Sequence, residues 1–233
     1  MATNSGGPYF TVLTVRLPDI CLFVADGFHW TGHYRLWCAG IHHRDISAFN
    51  LMYKREHDKI VGVLNDFDLA IIKHDKRENT ERTGTMLFMA LDLLEDIIAK
   101  SNQVHLYRYD AESFLWVAIW VCGTFEGSGP RRNAPFKAWT QEDARHCIDT
   151  RHSFATRASR DEENIWSEGH QARADILQEI RFQLDDDEIN RRRQRKASKD
   201  NGVVQLEEPD CPQTHYDRIS GTLFSALRRE VLK

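Results

Sequence analysis

The chain has 233 residues, 41% apolar and 28% charged, a globular balance that excludes a disordered or low-complexity polymer. A formal net charge of −4 gives no overall pull toward nucleic acid or an acidic membrane surface. Five cysteines (Cys21, Cys38, Cys122, Cys147, Cys211), odd in number and without a CxxC pair, argue against a disulfide framework and a zinc site and suit a reducing compartment.

Residues 1–40 show little periodicity. Residues 12–15 form a candidate strand broken by Pro18, and residues 22–24 are a second short apolar run. Arg16 and Asp19 interrupt the apolar N-terminus and no basic run precedes it, which argues against a signal peptide. Residues 30–39 read as the end of a helix that Gly40 stops. LMYKR and IVGVLN, separated by the charged EHDK, predict a small β-hairpin over 51–65. Residues 68–90 read as a long loop with a charge cluster between Lys73 and Glu78.

LDLLEDIIAK, from Leu91, has helical periodicity, and residues 111–122 predict a helix apolar all round, hence buried. Its densest part, FLWVAIWVC, is nine residues, about half a bilayer span. In WTQEDARHCI, Thr140 followed by Asp143 predicts a helix start with a carboxylate in the first turn. Ala172, Ile176, Ile180 and Leu184 step by four along one helical face. DDDE at 185–188 then meets RRRQRK at 191–196, a helix end passing into a linker, and Ile219, Leu223, Leu227 and Val231 predict a short amphipathic helix. No internal repeat is present.

The chemistry lies in the centre. His43-Arg44-Asp45 is followed by Asn50, and fifteen residues after that by Asn65-Asp66-Phe67-Asp68. Gly84-Thr85 leads to Ala90-Leu91-Asp92, and Arg108-Tyr109-Asp110-Ala111-Glu112-Ser113 opens the apolar helix. In this order and at these intervals the motifs resemble those of a protein kinase: the catalytic loop H-R-D-x-x-x-x-N, the D-F-G element, the close of the activation segment and the start of the central helix. HRDIS, with Ser47 where most kinases carry a Lys, resembles the fungal-type protein kinase family, as do NDFDLA, RTGTMLFMALDLL and YRYDAESFLWVAIWVC. The resemblance covers roughly residues 38–185.

What the resemblance implies is a mainly α fold with a small β-hairpin, a protein-kinase-like C-terminal lobe, truncated. The expected division is a lead-in at 1–40, the lobe at 41–185, and a charged linker with a short helix at 186–233. It also implies ATP and Mg2+ as cofactors and Ser/Thr of a protein substrate as acceptor. Asp45 would accept the hydroxyl proton and orient it. Asn50 and Asp66 would hold magnesium, with Asp68 adding a carboxylate. Thr85 would bond Asp45 and bias the site toward Ser/Thr. Arg44 would meet a phosphate on the loop, with Thr80 and Thr83 as candidate positions, and Ser47 completes the set drawn from the catalytic loop. Asp110 would brace that loop's backbone.

Other residues read as structural. His43 is expected to be a packed histidine, Trp116 and Trp120 core, and Tyr107, Arg108 and Glu112 packing or ion-pair residues. Asp92 and Leu91 replace the Glu-like anchor and the Pro that close the segment elsewhere in kinases, so its salt bridge is expected to be weaker, with no Arg partner legible. RRRQRK beside DDDE reads as a solvated helix end before a nuclear-import or nucleic-acid patch, and Lys196-Ala197-Ser198 resembles a basophilic phosphorylation site.

A kinase N-lobe supplies a Gly-rich loop, a Lys for the α/β-phosphates and a Glu that pairs with it. Residues 1–53 hold neither Lys nor Glu, and SGGP at 5–8 is no Gly-rich loop. The expectation is therefore a truncated kinase: a shortened gene model, a degenerate copy or a C-lobe kept for binding. The family function would be phosphoryl transfer, with this chain inactive or weakly active; the alternative is a pseudokinase or interaction scaffold. An intracellular setting, cytoplasmic or nuclear, a protein substrate or partner, and no membrane complete the reading.

Overall fold

The computed structural model describes residues 28–56, 59–73, 84–101, 104–126, 129–131, 136, 139, 143–158, 178–182, 186, 193 and 211–231. The expected strands before residue 28, the positions Thr80, Thr83, Ala172, Ile176 and Leu184, and RRRQRK apart from Arg193 lie outside them. Among the described residues the fold is mainly helical with three small two-stranded antiparallel sheets, of which the sequence foretold one.

Helix α1 (Phe28–Cys38) ends where Gly40 takes φ +83, a left-handed conformation that a glycine adopts without a Cβ penalty. The chain then enters β1 (Ile41–His42), which pairs with β4 (Ile71–Ile72), Ile41 opposite Ile72 and His42 opposite Ile71. The Lys73 N–H donates to Gly40 O at 2.8 Å and closes that pair. Between them β2 (Leu51–Glu56) and β3 (Lys59–Leu64) form the expected hairpin, Leu51 opposite Leu64. Its ladder runs on, Asn65 N–H donating to Asn50 O at 2.9 Å. Two short pairings therefore bring residues 43–50 and 65–70 to one place.

Helix α2 (Leu91–Ala99) has no side-chain cap of its own; Glu112 Oε1, from the next helix, accepts the Leu91 N–H at 2.9 Å instead. Helix α3 (Tyr107–Thr124) begins four residues before the predicted start, and its first turn is as buried as its middle. Strands β5 (Phe125–Glu126) and β6 (Gly129–Pro130) follow it. Around α3 lies an aromatic core: Phe136 packs on Trp139 (4.5 Å between centroids) and Phe154 (5.1 Å), and Trp116 meets Trp139 edge-on. Trp116 is core as expected, and Trp120 is half-buried against it.

Helix α4 (Ala144–Ala158) corrects the predicted start. Asp143 is its cap rather than a first-turn residue: Oδ1 accepts the Arg145 N–H at 3.1 Å and its carbonyl the Cys147 N–H at 3.0 Å. The C-terminal helix α5 (Pro212–Val231) is longer than predicted, 20 residues opened by a proline at its first position. Polar residues in its first two turns hide the apolar step from a periodicity reading. It docks on α1: Tyr216 stacks on Tyr34 at 4.1 Å, and Trp30 Nε1 donates to Ser220 Oγ at 3.0 Å.

No helix among the described residues is long and apolar enough to cross a membrane. Cys38, Cys147 and Cys211 take part in no disulfide. Cys122, on α3, is disulfide-bonded, which the reading of the cysteines as arguing against a disulfide framework did not foresee.

Candidate active site

Asp45 is the hub. Its Oδ1 accepts the Thr85 N–H at 2.8 Å and the Thr85 hydroxyl at 3.0 Å, and its Oδ2 accepts Asn50 Nδ2 at 3.0 Å. The same Asn50 nitrogen donates to Asp45 O at 2.9 Å. Three donors from residues five and forty positions away thus fix one carboxylate. With Nδ2 committed twice, the Asn50 amide oxygen is the atom left for a cation.

Gly84 makes the Thr85 contact possible. It sits at φ +122, and a Cβ there would lie 3.0 Å from Arg44 O and 3.5 Å from Asp45 Oδ1. Gly84→Ala is expected to destabilise the fold by about 1–3 kcal/mol, because alanine is strained at that φ and has no room. Urea unfolding checks this, and an unchanged midpoint would show the segment can rearrange.

His43 is buried and structural. The Asp45 N–H donates to Nδ1 at 3.3 Å, so Nδ1 carries the lone pair and Nε2–H donates to Asn65 O at 2.9 Å. Burial lowers its pKa, which agrees with a neutral ring. That bond ties the Asp45 loop to the turn carrying Asp66. Asp66 is exposed with φ +61, rare for a non-glycine, and Asp68 N–H reaches its Oδ1 at 3.4 Å.

Asn50 and Asp66 are thus brought within a residue of the same ladder, an amide oxygen and a carboxylate suited to Mg2+, which keeps waters and phosphate oxygens as its other ligands. The described residues hold no cluster of three or more His, Cys, Asp or Glu for a metal. Ser47 is almost wholly buried, its carbonyl accepting the Asn50 N–H at 3.1 Å, which makes it part of the turn beneath Asp45. Arg44, also buried, has a left-handed backbone at φ +70.

Asp110, buried in the first turn of α3, reaches the Arg44 N–H at 3.4 Å. His105 Nε2 and His33 Nε2 lie on its two oxygens at 2.7 and 2.8 Å. Burial would raise its pKa, but His105 and then His33 hold the carboxyl well below the usual range.

Residues 86–89, which follow Thr85, are anchored from α4. The buried Arg151 donates to the carbonyls of Met86 (3.0 Å), Leu87 (2.7 Å) and Met89, its guanidinium lying 4.7 Å over the Trp116 ring. Glu112, which also accepts Trp116 Nε1 at 2.9 Å, supplies the nearby negative charge. Asp92, for which no partner was legible, faces Arg108 at 3.6 Å. The sequence reading missed Arg151, His33 and His105 because nothing in their neighbourhoods separates them from surface residues.

Burial raises the Glu112 carboxyl to about 7, against the lowering effect of Trp116, Leu91 and Arg151. Between an ordinary carboxylate value and about 7 the folded state binds this proton more tightly than the unfolded one. Its stabilising contribution is therefore present at low pH and lost as pH rises through 7. Relative to Glu112→Gln, the wild-type unfolding free energy should fall by roughly 2–3 kcal/mol between pH 4.5 and 8. His42, which burial lowers to about 4, acts in the opposite sense, its contribution lost as pH falls; being common to both proteins it cancels. Parallel urea titrations at the two pH values, giving parallel profiles, would remove Glu112 as the source.

No curated protein matches the chain closely enough to count as a relative. The family model described as fungal protein kinase matches residues 30–122, a span that runs from α1 through Asp45, Asn50, Asp66 and Thr85 almost to the end of α3. With its loops set in that order around Asp45, the segment 30–122 is similar to the fungal protein kinase family.

Proposed function

We propose that this chain carries the C-terminal lobe of a protein kinase fold, expected over 41–185, whose family function is ATP-dependent phosphoryl transfer to Ser or Thr of a protein. The observation that carries this reading is the Asp45 carboxylate held by Thr85 and Asn50, on a loop that His43 ties to Asn65, the residue before Asp66. Such transfer needs positioning and charge more than covalent chemistry. Bound Mg·ATP would supply the phosphoryl group and the cation that offsets its charge. Asp45 would orient the acceptor hydroxyl and take its proton on a carboxylate oxygen, a contribution of about 10²–10⁴ in rate. Asn50 Oδ1 and the Asp66 carboxylate would hold Mg2+. Thr85, bonded to Asp45, would line the acceptor position, and buried Ser47 shapes the loop.

A second reading, a pseudokinase or interaction scaffold, is favoured by composition. Residues 1–53 hold neither Lys nor Glu, so the pair that grips the α/β-phosphates must come from outside them. Phe67 and Ile72, 41% and 58% exposed, flank Asp66 and β1 as apolar surface for a protein partner.

Calorimetric titration with Mg·ATP separates the readings. Saturable micromolar binding that Asp66→Ala abolishes is the expected result for the transferase. No heat at millimolar nucleotide would favour the scaffold.

A further inference from the structure

The Asp110 carboxylate could turn about its own side chain, and the bond it offers Arg44 is long. Its two short bonds prevent that turn: His33 from α1 on one oxygen, His105 from the stretch before α3 on the other. The oxygen that meets His33 is the one that faces the Arg44 N–H.

His33 gives the sharper clue. It is fully buried, 0% exposed, and its Nδ1 has no hydrogen-bond partner. Tyr107 stacks on the ring at 5.3 Å, Phe114 meets it edge-on at 5.4 Å, and Trp37 lies at 6.1 Å. In such an aromatic cage an apolar side chain would pack without leaving a polar atom desolvated, which costs roughly 1–3 kcal/mol. The one hydrogen bond that justifies an imidazole here is the bond to Asp110.

Arg44 needs such support. At φ +70 its backbone is held where a non-glycine residue is disfavoured by about 1–3 kcal/mol. The next residue is Asp45, so the left-handed turn at Arg44 decides where that carboxylate points.

We infer that His33 and His105 are positioning residues, which fix Asp110, through it the Arg44 amide, and so the aim of Asp45. This deepens the reading of Asp45 as the acceptor's base and rests on it. His33 lies ten residues before His43 and His105 forty past the Asn65 turn, so the catalytic loop is clamped from both sides of its sequence.

The test reads the Arg44 amide directly, by NMR hydrogen exchange on the full chain without nucleotide. In His33→Ala and in His105→Ala, exchange at Arg44 should quicken about tenfold, the loss of one ordinary hydrogen bond, while Val117 in α3 stays protected. His33→Gln and His105→Gln, which keep an N–H donor, should restore most of the protection. Unchanged exchange at Arg44 in a folded alanine variant overturns the inference, as does a glutamine variant as fast as alanine. If His33→Ala fails to fold, His105→Ala, at the edge of the core, decides on the same two results. Because no nucleotide is present, failure here leaves the kinase reading standing, and failure of nucleotide binding leaves this result standing.

Discussion

Arg151→Leu should cost about 3–5 kcal/mol of folding free energy, the range found when one partner is removed from a buried charge pair. The arginine is 1% exposed, and its guanidinium serves three carbonyls that no other described side chain reaches. Leucine would fill part of the volume and take the arginine's donors from these oxygens, Met86 O keeping only the Met89 N–H at 3.3 Å, each lost bond costing of order 1–3 kcal/mol that relaxation only partly recovers. It would also strand Glu112, whose carboxyl gains from the nearby positive charge. Arg151→Lys should recover little, because a single ammonium cannot match a planar fork that spans the carbonyls of residues 86, 87 and 89. Urea unfolding measures the cost. A loss under about 1 kcal/mol would mean the segment is held from elsewhere.

Gly123→Ala is expected to be nearly as severe, about 3 kcal/mol, by overpacking. A Cβ at this position would fall 1.8 Å from the nearest Phe136 ring carbon, with two more within 3.0 Å. That ring is 1% exposed and locked against Trp139 and Phe154, so it has nowhere to turn. The backbone of Gly123 is ordinary helix, and the need for glycine here is one of space. A Phe136→Leu background should therefore relieve much of the penalty, and a double-mutant cycle gives the coupling. Equal costs in both backgrounds would assign the loss to something other than the ring.

How far the sequence alone carries depends on whether a residue's partner is near in the chain. Asp45, Asn50 and Asp66 could be singled out as candidates because the resemblance to a kinase catalytic loop fixes both residue types and spacing, and the structure sets them on loops tied together by His43. Gly40 and the 51–65 hairpin were legible from local conformational preference. Arg151 was not: in ARHCIDTRHSF it reads as one charge among several on a polar helix, and its three acceptors lie more than sixty residues earlier. His33 hides in the same way, since a lone histidine in a helix has no pattern. The start of α4 was misplaced because Thr140 and Asp143 both satisfy the same capping chemistry, and only the fold selects between them.

The seating of α5 on α1 bears on how the protein is made. The bond from Trp30 to Ser220 joins residues 190 apart, and α1 carries His33 toward Asp110. Contacts so distant in sequence form slowly, because a long loop must close before they return any energy. On the ribosome, residues 28–50 emerge well before the helix that covers them. For the time it takes to add the remaining residues, about ten seconds or more at 5–20 per second, the Trp30 and Tyr34 rings have no Tyr216 to stack on. The helix that leads into the Asp45 loop thus waits on a stretch translated much later, a window in which a chaperone would find its aromatic face.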